Sequence, residues 1–277
     1  MANTRELRRR IKSVKNTSQI TKAMQMVAAT KMRRAQSQAT SGRPYQENLI
    51  ATLAKLLPLV DRAAHPLLTG NESETVAVIL LSTDKGLVGA LNTNLMRTLS
   101  HRGNTVFYTV GRRGRNFVAK TGLRLQADFE NLDTVTFRQA KQLAKLLMDS
   151  FNRSEIGQAY LVYPHFVSTI KQEPHTVKLL PIDLGSIPED TAAEFLFDVD
   201  YETLLDYLLV HHLEEQIYQA LLETKASEHS ARMVAMKNAT DNALELVEDL
   251  TLNYNQTRQA AITTELLEIS TAQLAME

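Results

Sequence analysis

The chain has 277 residues, no cysteine and no tryptophan, and 31 basic side chains against 31 acidic ones. Without cysteine there is no disulfide, no thiolate metal site and no thiol redox chemistry. No apolar run reaches the roughly 18 residues of a membrane span, and the opening MANTRELRRRIKSVK lacks the apolar centre of a secretory signal, so neither is expected.

The zero net charge conceals two ends of opposite sign. Residues 1–40 carry ten Lys and Arg against the single acid Glu6, whereas residues 183–277 are strongly acidic. Such ends invite pairing with each other, and a solvated pair of helix faces explains the pattern more simply than nucleic-acid binding by the basic end.

Gly and Pro divide the chain into three. Neither occurs from Met1 to Ser41, nor after Pro188, and such gaps favour long helices. In the first segment Leu7, Ile11 and Val14, then Ile20, Met24 and Val27, keep helical spacing. The stretch SGRPY, Ser41 to Tyr45, is expected to kink or interrupt this helix, which resumes through QENLIATLAKLL and stops before Pro58. The first arm is therefore 1–57.

Residues 75–181 have a different texture. TVAVILLS is a buried strand leading into the loop TDKGLVGALN and the helical TNLMRTLSHR, and NTVFYTVG is a second strand leading into RRGRNFVAKTG. TFRQAKQLAKLLMDSFNRS is helical, and QAYLVYPHFVS and TVKLLPI alternate as strands. The pattern is a compact α/β domain inserted between two long helices.

The last segment, 200–277, turns helical near Tyr201 and stays so. At about 1.5 Å per residue, some 75 residues make a rod of roughly 110 Å, longer than a domain of this size is wide. Its apolar seam drifts: Ile262, Leu266, Ile269, Gln273 and Met276 alternate 4 and 3, but Ala243, Leu246, Leu250 and Tyr254 form another stripe. The heptads are out of phase, and since both ends belong to one chain and their charges are complementary, an antiparallel coiled coil of the N- and C-terminal helices fits better than a strict parallel zipper.

Motifs with chemical potential are few. The glycines of DKGLVGA could bring backbone N–H groups to a phosphate, but the stretch matches neither G-x-G-x-x-G nor the Walker loop, and a plain strand-to-helix turn explains it better. GRRGR, Gly111 to Arg115, has the same two readings. His211 with Glu214 or Glu215 has metal-compatible spacing without any H-E-x-x-H motif. No nucleophile, acid–base pair or cofactor motif stands out, so no catalytic residue and no cofactor are expected.

Four collinear stretches resemble the gamma subunit of F-type (rotary) ATP synthases: IKSVKNTSQITKAMQMVAATKMRRAQ (Ile11 to Gln36), STDKGLVGALN (Ser82 to Asn92), ASEHSARMVAMKNATDNA (Ala226 to Ala243) and YNQTRQAAITTELLEI (Tyr254 to Ile269). The resemblance covers nearly the whole chain. One departure lies near the end, where the family continues into Gly-Ala and this chain has Ala272 and Gln273. Exchanging Gly for Ala favours helix by roughly 1 kcal/mol, so the helix is expected to persist.

The resemblance implies an antiparallel coiled coil plus a Rossmann-like α/β domain. It implies a non-catalytic shaft that turns inside a hexamer of alpha and beta subunits, with the epsilon subunit and the membrane c ring at its foot. It maps coupling contacts to Lys22, Met24 and Gln25 on the first helix and to Arg232, Arg258, Gln259, Thr263 and Glu268 on the last. Arg258 and Gln259 resemble the pair that engages a loop of the beta subunit. Phe197 and Asp198 resemble c-ring contacts. With neither the chloroplast-type insertion nor its cysteine pair, the expected place is the cytoplasmic face of a bacterial inner membrane, with the matrix side of the mitochondrial inner membrane as alternative. Membrane association is expected only through the complex, and no nucleic-acid partner is implied.

Overall fold

A computed structural model describes residues 4–60, 65–99, 103–130, 134–183 and 200–274. The chain runs α1 (Thr4–Leu56), a 3-10 turn (Leu57–Leu59), α2 (Pro66–Thr69), β1 (Val76–Leu81), α3 (Leu91–Arg97), β2 (Thr105–Val110), α4 (Arg112–Lys120), β3 (Arg124–Phe129), α5 (Phe137–Asn152), β4 (Gln158–Phe166), β5 (Gln172–Leu180) and α6 (Tyr201–Leu274). It divides into two compact units, Met1–Ala28 with Met233–Glu277, and Ala29–Arg232.

The larger unit is built on a five-stranded sheet in the order β3-β2-β1-β4-β5. Its first four strands are parallel and β5 returns antiparallel along β4. Parallel strands are covered on both faces, and the burial follows that rule. On one face Ile79, Leu81, Tyr108, Val110 and Leu161 join Leu143, Leu147 and Phe151 of α5, Leu49 and Leu53 of α1 and Leu209 and Leu213 of α6. On the other, Leu80, Phe107 and Val162 pack with Leu95 of α3 and Val118 of α4. α5 begins at a reciprocal cap in which the Thr136 side chain accepts from the Gln139 backbone and Gln139 accepts from the Thr136 backbone.

β3 is the strand that the hydrophobic pattern does not announce. RLQADF alternates exposed and half-buried residues, and it is a strand because the edge of β2 pairs it, from Val106 opposite Arg124 to Val110 opposite Phe129. An edge position tolerates its charges.

α1 is continuous where an interruption at SGRPY was expected, with Pro44 inside the helix. Pro44 has no N–H for the Thr40 carbonyl, but Pro44 and Thr40 both lie on the exposed side, where water can satisfy that oxygen. One turn earlier, the Gln219 side chain of α6 donates to the Ala39 carbonyl at 3.0 Å in buried surroundings. A second tie, 2.6 Å between the Tyr45 hydroxyl and His211 Nε2, follows just beyond the proline. Since Ala39 meets Gln219 and the later Tyr45 meets the earlier His211, the two helices run antiparallel in this unit.

In the smaller unit the seam is set by burial rather than by hydrophobicity. Along α1 a run of covered positions, Leu7, Ile11, Val14, Ser18, Thr21, Gln25 and Ala28, keeps unbroken 4-3 steps, with Met24 half-buried beside it as expected. Ile20 and Val27, expected on the inner stripe, are 61% and 58% exposed. Along α6 a run of covered positions, Met236, Thr240, Ala243, Val247, Leu250, Tyr254 and Thr257, again keeps 4-3 steps, and Leu246 faces outward. The heptad therefore stays in phase up to Thr257, contrary to the drift read from apolar residues, because Ser, Thr, Gln and Ala occupy seam positions. Thr21 and Thr240 meet at 2.7 Å. From there 17 residues lead back to Thr4 (21 − 17) and 17 lead on to Thr257 (240 + 17), so cover on α6 stops where an antiparallel α1 begins. Past Thr257 the helix stays exposed to the last described side chains, and it continues through Ala272 and Gln273 as expected.

Candidate functional site

The strand order reverses between β1 and β4: β1, β2 and β3 run outward to one side, and the chain then crosses back to β4. In open parallel sheets such a reversal leaves a crevice beyond the carboxyl ends of the strands, where a small ligand usually binds. Here α6 borders it. The Ser227 hydroxyl donates to the Pro164 carbonyl of β4 at 2.8 Å and the Ser230 hydroxyl to Thr169 at 2.6 Å, while Arg232 reaches the Gly86 carbonyl after β1 at 3.5 Å.

This part of α6 is buried all round from Leu221 to Ser230 although seven of its ten residues are polar. Burial of polar groups requires partners, and they are present. Glu223 meets His165 Nδ1 at 2.6 Å, the Thr224 hydroxyl donates to the Ala220 carbonyl, and Glu228 accepts from Arg232 at 2.8 Å and Lys225 at 3.4 Å. Burial opposes the Glu228 charge, but Lys225 and then Arg232 hold its pKa below the usual carboxylate range. Burial, and then Glu223, push the Tyr163 hydroxyl up. The resemblance includes Ser227, Glu228 and Ser230 in the stretch from Ala226 to Ala243 but gives a role only to the nearby Arg232; their buried bonds, and that of Glu223, are not readable from residues that look like an ordinary solvated face.

The glycine loops have a structural use. The first three amides of α4 are already taken: Arg112 N–H donates to Asp84 at 2.8 Å, Arg113 N–H to the Thr83 carbonyl at 3.0 Å, and Gly114 N–H to the Ser82 hydroxyl at 2.8 Å. An anion there would find none of these three backbone donors free. A Cβ on Gly111 would lie 2.4 Å from the Ser82 carbonyl oxygen, so this glycine lets strand and helix approach. The phosphate reading of GRRGR therefore gives way to a strand-to-helix turn.

His211 and Glu215 do not build a metal site, and no group of three or more His, Asp or Glu suited to a metal occurs among the described residues. His211 is instead ringed by Tyr45, Phe137 and a stacked Tyr207. His212 is 2% exposed with Nδ1 unpartnered, and burial, then His211, bring its pKa down to about 4.

The mapped contact positions fall into distinct settings. Lys22 is exposed, while Met24 and Gln25 are half-buried along the seam. Arg258, Gln259, Thr263 and Glu268 are exposed on the bare end of α6, with the Thr263 hydroxyl turned back to the Gln259 carbonyl at 2.9 Å. The Arg232 side chain is 12% exposed and held by Glu228. Phe197 and Asp198 lie outside the described residues. No described helix is long and apolar enough to cross a membrane.

Residues 3–276 match the family described as ATP synthase. The chain is 45% identical over 294 residues to the ATP synthase gamma chain of Methylacidiphilum infernorum, with 100% of both chains covered. It is 43% identical over 291 residues to that of Opitutus terrae, with 99% of each covered. Among solved structures it is similar to a chain of the Euglena gracilis mitochondrial ATP synthase, in an assembly described as OSCP, F1 and c-ring, with a TM-score of 0.71, 22% identity and coverage of 99% and 94%. A chain from the central stalk and c-ring of the Tetrahymena thermophila enzyme gives a TM-score of 0.61 at 24% identity, covering 79% of this chain and 99% of that one.

Proposed function

Because this chain belongs to the gamma-chain family of F-type ATP synthases, we propose that it is the rotor shaft of the central stalk, coupling ion flow through a membrane c ring to ATP synthesis or hydrolysis at the beta subunits. It is non-catalytic itself. Its partners in this reading are the hexamer of alpha and beta subunits, the epsilon subunit and the c ring. Its place is the cytoplasmic face of a bacterial inner membrane, held through the complex.

The observation that carries the reading is α6. It is one unbroken helix from Tyr201 to Leu274, buried on all sides between Leu221 and Ser230 and exposed beyond Thr257. A shaft has to be held firmly where torque enters and has to present a surface that each of three beta subunits can engage and release. Ser227, Ser230 and Glu223 supply the hold. Exposed Arg258, Gln259, Thr263 and Glu268, with Lys22, Met24 and Gln25, supply contacts that differ between rotor angles without a deep apolar lock.

Copurification tests the assembly: a tagged chain should bring down the alpha, beta and epsilon subunits. Recovery of nucleic acid alone, released steeply by salt, would overturn the reading. Rotation has its own test, helped by the absence of native cysteine. Gln259→Cys joined by a disulfide to a cysteine in the facing beta loop should stop ATP hydrolysis, and reduction should restore it. Full activity of the cross-linked enzyme would refute rotation at this contact.

A further inference from the structure

In the antiparallel pair of β4 and β5, Tyr163 stands opposite His175 and His165 opposite Glu173. His165 and His175 are therefore diagonal neighbours on one face of the sheet. Their rings lie 5.6 Å apart between centres at a tilt of 44°, with Tyr163 edge-on to both. From α6, the Glu223 carboxylate meets His165 Nδ1 at 2.6 Å. A carboxylate only accepts, so Nδ1 carries the hydrogen of the neutral ring and Nε2 keeps a free lone pair. His175 is exposed and His165 half-buried, so solutes reach the pair.

This is the arrangement of a metal-binding histidine pair. With Zn–N bonds of about 2.0–2.1 Å and tetrahedral angles, two imidazoles on one zinc have ring centres roughly 5–5.5 Å apart. A ligating histidine also gives its other ring N–H to a carboxylate, which orients the ring and raises its basicity. We propose that His165 and His175 together bind one divalent transition ion of the zinc class, with Glu223 positioning His165. Two side chains fall short of a closed structural site, so the remaining positions fall to water. Glu173 is not counted as a third ligand, because its Oε1 is held 2.6 Å from Lys171 Nζ. Imidazole selects zinc, copper or nickel over magnesium and calcium. The site lies wholly within the larger unit and does not depend on the rotor reading.

The test titrates the metal-free full-length chain with Zn2+ at pH 7, read by calorimetry and by the ring resonances of His165 and His175. One saturable site is expected, with both rings shifting together, and a large excess of Mg2+ should leave it intact. His175→Gln, at an exposed position, should weaken Zn2+ at least about tenfold while the urea midpoint of the metal-free chain stays that of the parent. His165→Gln should weaken it as much, and Glu223→Gln severalfold. Metal and proton compete for the same nitrogens, so affinity should fall as the pH is lowered. Parental affinity in His175→Gln would overturn the proposal, as would a Zn2+ complex that shifts neither ring or the absence of saturable binding.

Discussion

The hydroxyl oxygens of Thr21 on α1 and Thr240 on α6 stand 2.7 Å apart in the seam of the smaller unit. Each also lies within reach of a carbonyl of its own helix, Ser18 at 3.1 Å and Met236 at 2.8 Å. Two hydroxyl protons therefore serve three contacts, and one of them joins the helices. Small β-branched polar residues at such positions let the helices approach and specify register without the depth of a leucine seam.

Replacing either threonine by valine keeps shape and removes that bond, with an expected cost of about 1 kcal/mol each. The double variant should lose less than the sum, with a coupling of about 1 kcal/mol in a double-mutant cycle measured by urea unfolding of the full chain. Strict additivity would show that the two hydroxyls do not stabilise each other.

Gly111 makes a second, sharper case. Its φ is +96° and an added Cβ would strike the Ser82 backbone, so Gly111→Ala should cost more than about 2 kcal/mol. Gly122, at φ +69° with nothing within 4 Å of its hypothetical Cβ, bears only the backbone penalty, and Gly122→Ala should cost about 1 kcal/mol. Urea midpoints of the two variants compare them directly, and similar losses would remove the steric argument.

Much of this molecule is legible before any coordinates. The three-part layout, the start of α6 near Tyr201 and the strands TVAVILLS and QAYLVYPHFVS follow from Gly and Pro spacing and from apolar runs. What escapes is what periodicity cannot encode. The seam runs through Ser18, Thr21, Gln25 and Thr240 while Ile20, Val27 and Leu246 face outward, so a search for apolar stripes finds the wrong phase. β3 is a strand only because β2 pairs it, and Pro44 stays helical because its turn is exposed and flanked by the ties of Ala39 and Tyr45 to α6. The polar run of Glu223 to Ser230 looks solvated until the sheet against it is known.

Acid should destabilise the chain through His212. Its folded pKa, about 4, lies below the ordinary value of 6.5, so the folded state holds the ring neutral while the unfolded state charges it. The contribution is complete above pH 6.5 and is lost as pH falls toward 4, at up to about 1.4 kcal/mol per pH unit. His229 acts with the same sign. Glu215, raised by burial with His211 opposing, acts with the opposite sign, its contribution fading as pH rises. His212→Leu leaves those two groups in place and removes the unpartnered Nδ1. Its urea stability should therefore match or exceed the parent's at pH 5 and fall less steeply between pH 6.5 and 4. Parallel profiles would exclude His212 as the source.

Arg258 and Gln259 separate contact from folding. Both are exposed on the part of α6 that extends past its covered seam, and alanine is the better helix former at each position. Replacing both by alanine should leave the unfolding of the isolated full chain unchanged within about 0.5 kcal/mol. In the assembled enzyme the same variant should lower ATP hydrolysis or the yield of complex severalfold, because its lost interactions are with a partner. An assembled enzyme of parental activity would show that these two side chains carry no coupling. A loss of stability in the isolated chain would show instead that they serve the chain's own fold.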